Sequence, residues 1–139
     1  MTLSTPPTES KLGRITGCHH LAVCVHDIDA ARVFYGDVLA LEELERPPEI
    51  AAKFRSAWYR LGGSELHVVE NRDFEPFDSQ LGPHVAVMTD DFEATVARIE
   101  NSGTGFAFGP GRGPDGVLRA VVRDPTGNVF EITSALPRP

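Results

Sequence analysis

Cysteine is nearly absent: Cys18 and Cys24 are the two in a chain of 139 residues. They fall in a segment that reads as one extended strand, on the same side of it and too far apart to bridge. A disulfide framework is therefore excluded, and two reduced thiols point to a reducing, cytoplasmic compartment. Basic residues are also scarce. Thirteen Lys and Arg against 20 Asp and Glu give a net charge of -7 and a pI near 5.1. With no basic stripe to offset that excess, nucleic acid and anionic membrane are excluded as partners. Long apolar runs are missing too; stretches such as 21–25 are far too short to cross a bilayer. The opening segment is polar, carries two prolines and lacks the apolar core of a signal peptide, so a flexible tail is expected over 1–14.

What is present is ordinary in bulk, with 41% hydrophobic and 24% charged residues, and it suits one soluble globular domain. The informative feature is an internal repeat with an offset of 64 residues. His84-Val85-Ala86-Val87 matches His20-Leu21-Ala22-Val23. Asp91 matches Asp27, Ala94 matches Ala30, Gly127 matches Gly63, and Glu131 falls on His67. A repeat of this kind decides the architecture before any local reading does.

The first module is expected over 15–71. A strand at 20–25 leads to a helix capped by Asp27, with Ile28, Ala31, Phe34, Tyr35 and Val38 at helical spacing. The stretch 39–45 leads into a second strand, Pro47-Pro48 breaks the chain, and 54–61 and 65–70 form a hairpin about Gly62-Gly63. A linker at 72–82 follows. The second module, 83–136, repeats the order: a strand at 84–88, then a helix capped by Asp90 or Asp91, carrying Phe92, Val96 and Ile99 and ended by Gly103. A short strand at 105–108, a glycine- and proline-rich loop at 109–116, and a hairpin of 117–123 and 128–134 about Asp124-Pro125-Thr126-Gly127 complete it. The expected fold is α+β: two tandem βαβββ modules forming a cupped mixed sheet with helices on its outer face.

Strand parity then gives direction to the repeat. Leu21, Val23, Val85, Val87, Leu66, Val68, Phe130 and Ile132 face the helices, so His20, His84, His67 and Glu131 all face away from them. Their neighbours on that face, Ala22, Ala86 and Val69, are small or apolar, as in a covered small-molecule site. Three histidines and a carboxylate at equivalent repeat positions point to a metal site. A carboxylate on such a face must be neutralised, and a divalent cation would do it. His19 is expected at the strand edge and His26 on the surface. Arg112, in the loop, is a candidate contact for an anionic substrate beneath a lid. Trp58 and Tyr59 alternate, so one of them faces the cup; Trp58 is the candidate to stack on a substrate.

Five segments in order, at repeat spacing, carry a resemblance: His20 to Asp27, Phe34 to Leu39, Leu61 to His67, His84 to Asp91 and Asp124 to Glu131. On these residues the chain resembles the vicinal oxygen chelate superfamily, the glyoxalase, bleomycin-resistance and dioxygenase group. The resemblance implies two βαβββ modules cupped around a divalent metal (Ni, Zn, Co, Mn or Fe(II)). It places ligands at His20, His67, His84 and Glu131. It also implies frequent homodimers, with the site formed within one chain or across two. The chemistry it implies is of the glyoxalase type: a lyase or isomerase whose small substrate chelates through vicinal oxygens and passes through an enediolate-like intermediate, with Glu131 as base and His67 as ligand or second acid–base group. Two alternatives stand beside it. His20, His84 and Glu131 alone form a two-His, one-carboxylate triad suited to Fe(II) and extradiol-type dioxygenation. A metal-free drug-binding protein of the bleomycin-resistance type is the other.

Overall fold

The computed structural model describes residues 12–79 and 81–135, so residues 1–11 of the expected tail, residue 80 of the linker and residue 136 lie outside the described residues. The first module comprises β1 (His20–Val25), α1 (Ile28–Arg32), which continues as a π-helical stretch (Val33–Val38), then β2 (Glu43–Leu44), α2 (Pro48–Lys53), β3 (Ser56–Leu61) and β4 (Ser64–Glu70). The second comprises β5 (His84–Met88), α3 (Phe92–Asn101), β6 (Phe106–Arg112), β7 (Leu118–Arg123) and β8 (Val129–Thr133). Each forms a four-stranded mixed sheet, in the orders β1-β4-β3-β2 and β5-β8-β7-β6. In each the first strand pairs in parallel with the last, and the other pairings are antiparallel. This is the expected pair of tandem βαβββ modules.

The repeat is visible in the caps. Asp27 Oδ1 accepts from the backbone N–H groups of Asp29 (2.8 Å) and Ala30 (3.3 Å), and Asp91 Oδ1 accepts from that of Ala94 (3.0 Å). Each aspartate satisfies donors that the first turn of its helix leaves free. Gly103, at φ +83°, ends α3 in the left-handed conformation.

Three segments depart from the sequence expectation. The first helix widens after Arg32, with Leu39 N–H donating five residues back to Phe34 O (2.8 Å). The wider turn lets the neighbours Phe34 and Tyr35 both face the core with Val38. Next, Pro47-Pro48 starts a helix instead of only breaking the chain. Pro47 is extended and its carbonyl accepts from Ile50 and Ala51 (both 3.0 Å), while Pro48, which has no N–H to lose, opens the first turn. Finally, the glycine-rich segment is not a loop throughout. Strand β6 runs on to Arg112, absorbing Gly109-Pro110-Gly111 through two register shifts against β7, and only 113–117 turn. Gly109 sits at φ +71°, and a Cβ on it would lie 2.6 Å from the Arg119 carbonyl oxygen. Gly109→Ala is expected to lower stability by about 2–4 kcal/mol, read as a fall in the thermal midpoint.

The modules share one core. Phe34 and Tyr35 of the first pack against Phe130 of the second, with the Tyr35 and Phe130 ring centroids 5.3 Å apart. A buried polar joint reinforces the contact. The Tyr35 hydroxyl donates to Asp124 Oδ2 (2.6 Å), and Asp124 is only 4% exposed. Its Oδ1 accepts from the backbone N–H groups of Thr126 (3.0 Å), Gly127 (2.8 Å) and Asn128 (2.8 Å). Asn128 Nδ2 donates to Asp124 Oδ2 (2.9 Å) and across the modules to Cys24 O (2.7 Å). Burial, then the neighbouring Asp124 charge, push the Tyr35 hydroxyl pKa far above the usual phenol value. Arg98 Nε of α3 makes a further crossing to Val38 O (2.9 Å). Both cysteines are free thiols, and among the described residues no helix is long and apolar enough to cross a membrane.

Candidate functional site

Burial along the four site strands follows the expected parity. Leu21, Val23, Val85 and Val87 pack against the core, as do the fully enclosed Leu66, Val68, Phe130 and Ile132. His20, His67, His84 and Glu131 alternate with them. Register places Ala22 opposite His67, and Ala86 opposite Glu131. A methyl group on the neighbouring strand leaves room beside each functional side chain.

The four residues meet as two pairs rather than as one group. In the first module, β4 lies between β1 and β3, so the His67 ring is held between two others. It stacks on His20 (centroids 4.3 Å apart, planes at 14°) and on Trp58 (3.8 Å, 4°). His67 Nε2 is also 2.9 Å from Glu65 Oε1, and this hydrogen bond holds the Glu65 carboxyl below its ordinary pKa. His19, just outside β1, places Nδ1 3.0 Å from His20 Nδ1.

In the second module, His84 Nε2 lies 3.5 Å from Glu131 Oε2. His84 Nδ1 is 2.9 Å from Gly82 O. A carbonyl oxygen can only accept, so Nδ1 carries a proton, and in the neutral ring Nε2 keeps its lone pair toward Glu131. This is the orientation a metal-ligating imidazole takes when its other nitrogen is anchored to backbone. Together, imidazole nitrogens and a carboxylate suit a borderline divalent cation. The donor chemistry and the anchored tautomer therefore fit the metal that the sequence predicts. The convergence does not: within one chain, no three His, Cys, Asp or Glu among the described residues form a group able to hold a metal ion.

Two further corrections concern charge. The sequence argument required a cation to neutralise Glu131, and the structure supplies one from the chain itself: Arg119 Nε donates to Glu131 Oε1 (2.7 Å). Arg119 also donates from Nη1 and Nη2 to both oxygens of Asp115 (2.8 and 2.7 Å). This fork holds the Asp115 carboxyl well below the usual aspartate range and raises the Arg119 pKa still further. The face is accordingly not lined by small and apolar residues alone, since Glu65 and Arg119 share it with the candidates. Both were detectable by parity. Glu65 lies two residues before His67, and Arg119 lies two before Val121, which pairs with Glu131 across β7 and β8.

The remaining candidates separate. Trp58 faces the cup against His67, while Tyr59 is wholly buried. Arg112 ends β6 and donates to Gly116 O (2.6 Å) within its own hairpin, so it stands on a strand and not in a lid loop. His26 is exposed, with Nε2 2.5 Å from Phe74 O. Between β1, β5 and the linker lies a cavity of about 370 Å³ whose lining includes Ala22, Cys24, Phe74, Phe77 and His84.

Comparison with known proteins agrees with this architecture. Residues 17–132 match the family model described as Glyoxalase/Bleomycin resistance protein/Dioxygenase superfamily. No curated protein matches the chain. Among solved structures, a glyoxalase family protein from Bacillus anthracis is 27% identical, with a TM-score of 0.76 over 88% of this chain and 97% of that one. A glyoxalase/dioxygenase from Nostoc punctiforme is 24% identical, with a TM-score of 0.71 over 99% of this chain and all of the other (100%). A lactoylglutathione lyase from Agrobacterium tumefaciens is 22% identical, with a TM-score of 0.67 over 88% and 96%. The last two show a shared fold alone. With the family match spanning both modules, the chain belongs to the glyoxalase/bleomycin resistance protein/dioxygenase superfamily.

Proposed function

We propose that the protein is a divalent-metal-dependent enzyme of the glyoxalase type, a lyase or isomerase acting on a small substrate with vicinal oxygens. The observation that carries this reading is the matched pair of half-sites: His20 beside His67 on β1 and β4, and His84 beside Glu131 on β5 and β8. The pairs occupy equivalent repeat positions, and the His84 tautomer is set for ligation. Each pair supplies half of a four-donor set, so a second copy of the chain would complete the site, His20 and His67 coming from one protomer and His84 and Glu131 from the other. β1 and β5 are end strands of their sheets, and an end strand offers an edge to a partner.

The metal, when bound, would act as a Lewis acid toward the substrate's adjacent oxygens. The chain's own residues do the rest. Glu131 is the base for a proton next to the carbonyl, and Arg119 fixes the orientation of its carboxylate. His67, clamped between Trp58 and His20, holds a fixed ring plane and has Glu65 within hydrogen-bonding reach as a proton partner. Neutral imidazoles and an ionised carboxylate are needed together, a condition met near neutral pH.

Metal analysis of protein purified without chelator tests this reading. Near-stoichiometric Ni, Zn, Co or Mn is expected, and His84→Ala and Glu131→Ala should each abolish tight binding. Full metal content in both variants would show the ligand assignment to be wrong. Oxidation-sensitive Fe(II) would move the reaction to ring-cleaving dioxygenation. One observation favours a second reading, a metal-free binding protein: Arg119 already neutralises Glu131. Folded protein that takes up no divalent metal would favour that reading and exclude both enzymes.

A further inference from the structure

Arg119 uses its guanidinium in an uneven way. One nitrogen, Nε, holds Glu131. The outer fork, Nη1 and Nη2, grips Asp115 through two parallel bonds of 2.8 and 2.7 Å. The second grip is not needed to neutralise Glu131. Asp115 sits at the tip of the 113–117 turn, with its side chain half-exposed at 50%. The turn closes by backbone bonds of its own, Gly113 N–H to Val117 O (2.9 Å) and Gly116 N–H to Gly113 O (3.0 Å). Paired guanidinium and carboxylate planes are how arginine recognises a free carboxylate of any origin. A half-exposed pair adds little to stability, so exchanging one carboxylate for another is nearly neutral. Access is open as well: a cavity of about 480 Å³ beside the guanidinium is lined by Phe108, Pro110, Arg112, Pro114 and Arg119 itself.

We propose that Arg119 is a carboxylate-recognition point of the site and that Asp115 occupies it as an internal stand-in until substrate arrives. The substrate class is then a small molecule bearing a carboxylate in addition to its vicinal oxygens. Its carboxylate displaces Asp115 from the Nη1–Nη2 fork while Nε keeps Glu131 in place. No covalent step is involved. The inference rests on the metal reading for the chelating end of the substrate, but not for the carboxylate end.

Malate and lactate are suitable probes. Both present an α-hydroxyl beside a carboxylate for chelation, and malate alone has a second carboxylate. With Co(II)-loaded protein, malate is expected to bind about tenfold more tightly than lactate. Arg119→Gln should remove that preference. Asp115→Asn, which keeps an oxygen for the Val117 N–H, should increase it about threefold or more by removing the internal competitor. A preference unchanged in both variants would overturn the inference and leave the metal reading standing. The same titration without metal, followed by the Arg119 Nε–H resonance in Asp115→Asn, separates the two in the other direction. A malate-dependent shift there supports the carboxylate point even if no metal binds. No shift in either form, with or without metal, would overturn it.

Discussion

Asp124→Ala is expected to lower the unfolding free energy by about 3–5 kcal/mol, seen as a large fall in the urea midpoint at unchanged slope. The size follows from the number of donors that lose their acceptor. Three backbone N–H groups, the Asn128 amide and the Tyr35 hydroxyl all end on this one buried carboxylate. Leaving buried donors unpaired is far more costly than the net worth of the bonds. Because domains of this size are stable by only about 5–15 kcal/mol, the variant would be marginal. Tyr35→Phe removes one of those donors and should cost about 1–2 kcal/mol, since the carboxylate keeps its other partners. A midpoint for Asp124→Ala close to that of the unaltered protein would show that the joint between the modules is not what holds them together.

The second large effect concerns the site. Homodimers carrying His20→Ala, or Glu131→Ala, should each lose tight metal binding. A heterodimer of one chain of each kind should recover one metal per dimer. If the site forms across chains, one of its two sites receives both defects and the other receives neither. If the site forms within each chain, every site carries one defect and nothing is recovered. Two affinity tags isolate the mixed species, and metal content per dimer reads the result. Zero metal in a folded heterodimer would exclude the shared site. Such complementation would explain why the four donors stand as two pairs in one chain.

Much of the fold was legible because periodic signals with local causes carry it. Asp27 and Asp91 cap helices through contacts within three residues of themselves, and alternation along β1, β4, β5 and β8 separates core from cup without long-range information. What was misread had no such signal. Helix α2 buries none of its residues, so no apolar stripe announces it. The widened turn after Arg32 responds to the need to bury two adjacent rings, a demand set by the second module. Strand β6 keeps its pairing through Gly109-Pro110-Gly111 only because β7 lies alongside. At the site, parity chose the right face but not the distance between the two sheets, so it could not separate one group of four from two groups of two. The Arg119–Glu131 contact was overlooked because attention stayed on the repeated positions, and Arg119 has no counterpart in the first module.

The two hairpins that close the sheets are unequal in length, and this has a historical consequence. Between β3 and β4 the turn is Gly62-Gly63, whereas between β7 and β8 it is the five residues 124–128 that carry Asp124. The ancestral halves would have been interchangeable. Once one hairpin became the joint that receives Tyr35, the copies were no longer equivalent. A first half placed in the second position would offer Tyr35 only two glycines and no acceptor. The order of the halves is therefore frozen by a single tyrosine and its carboxylate, while the other turn is left with nothing to do but reverse the chain.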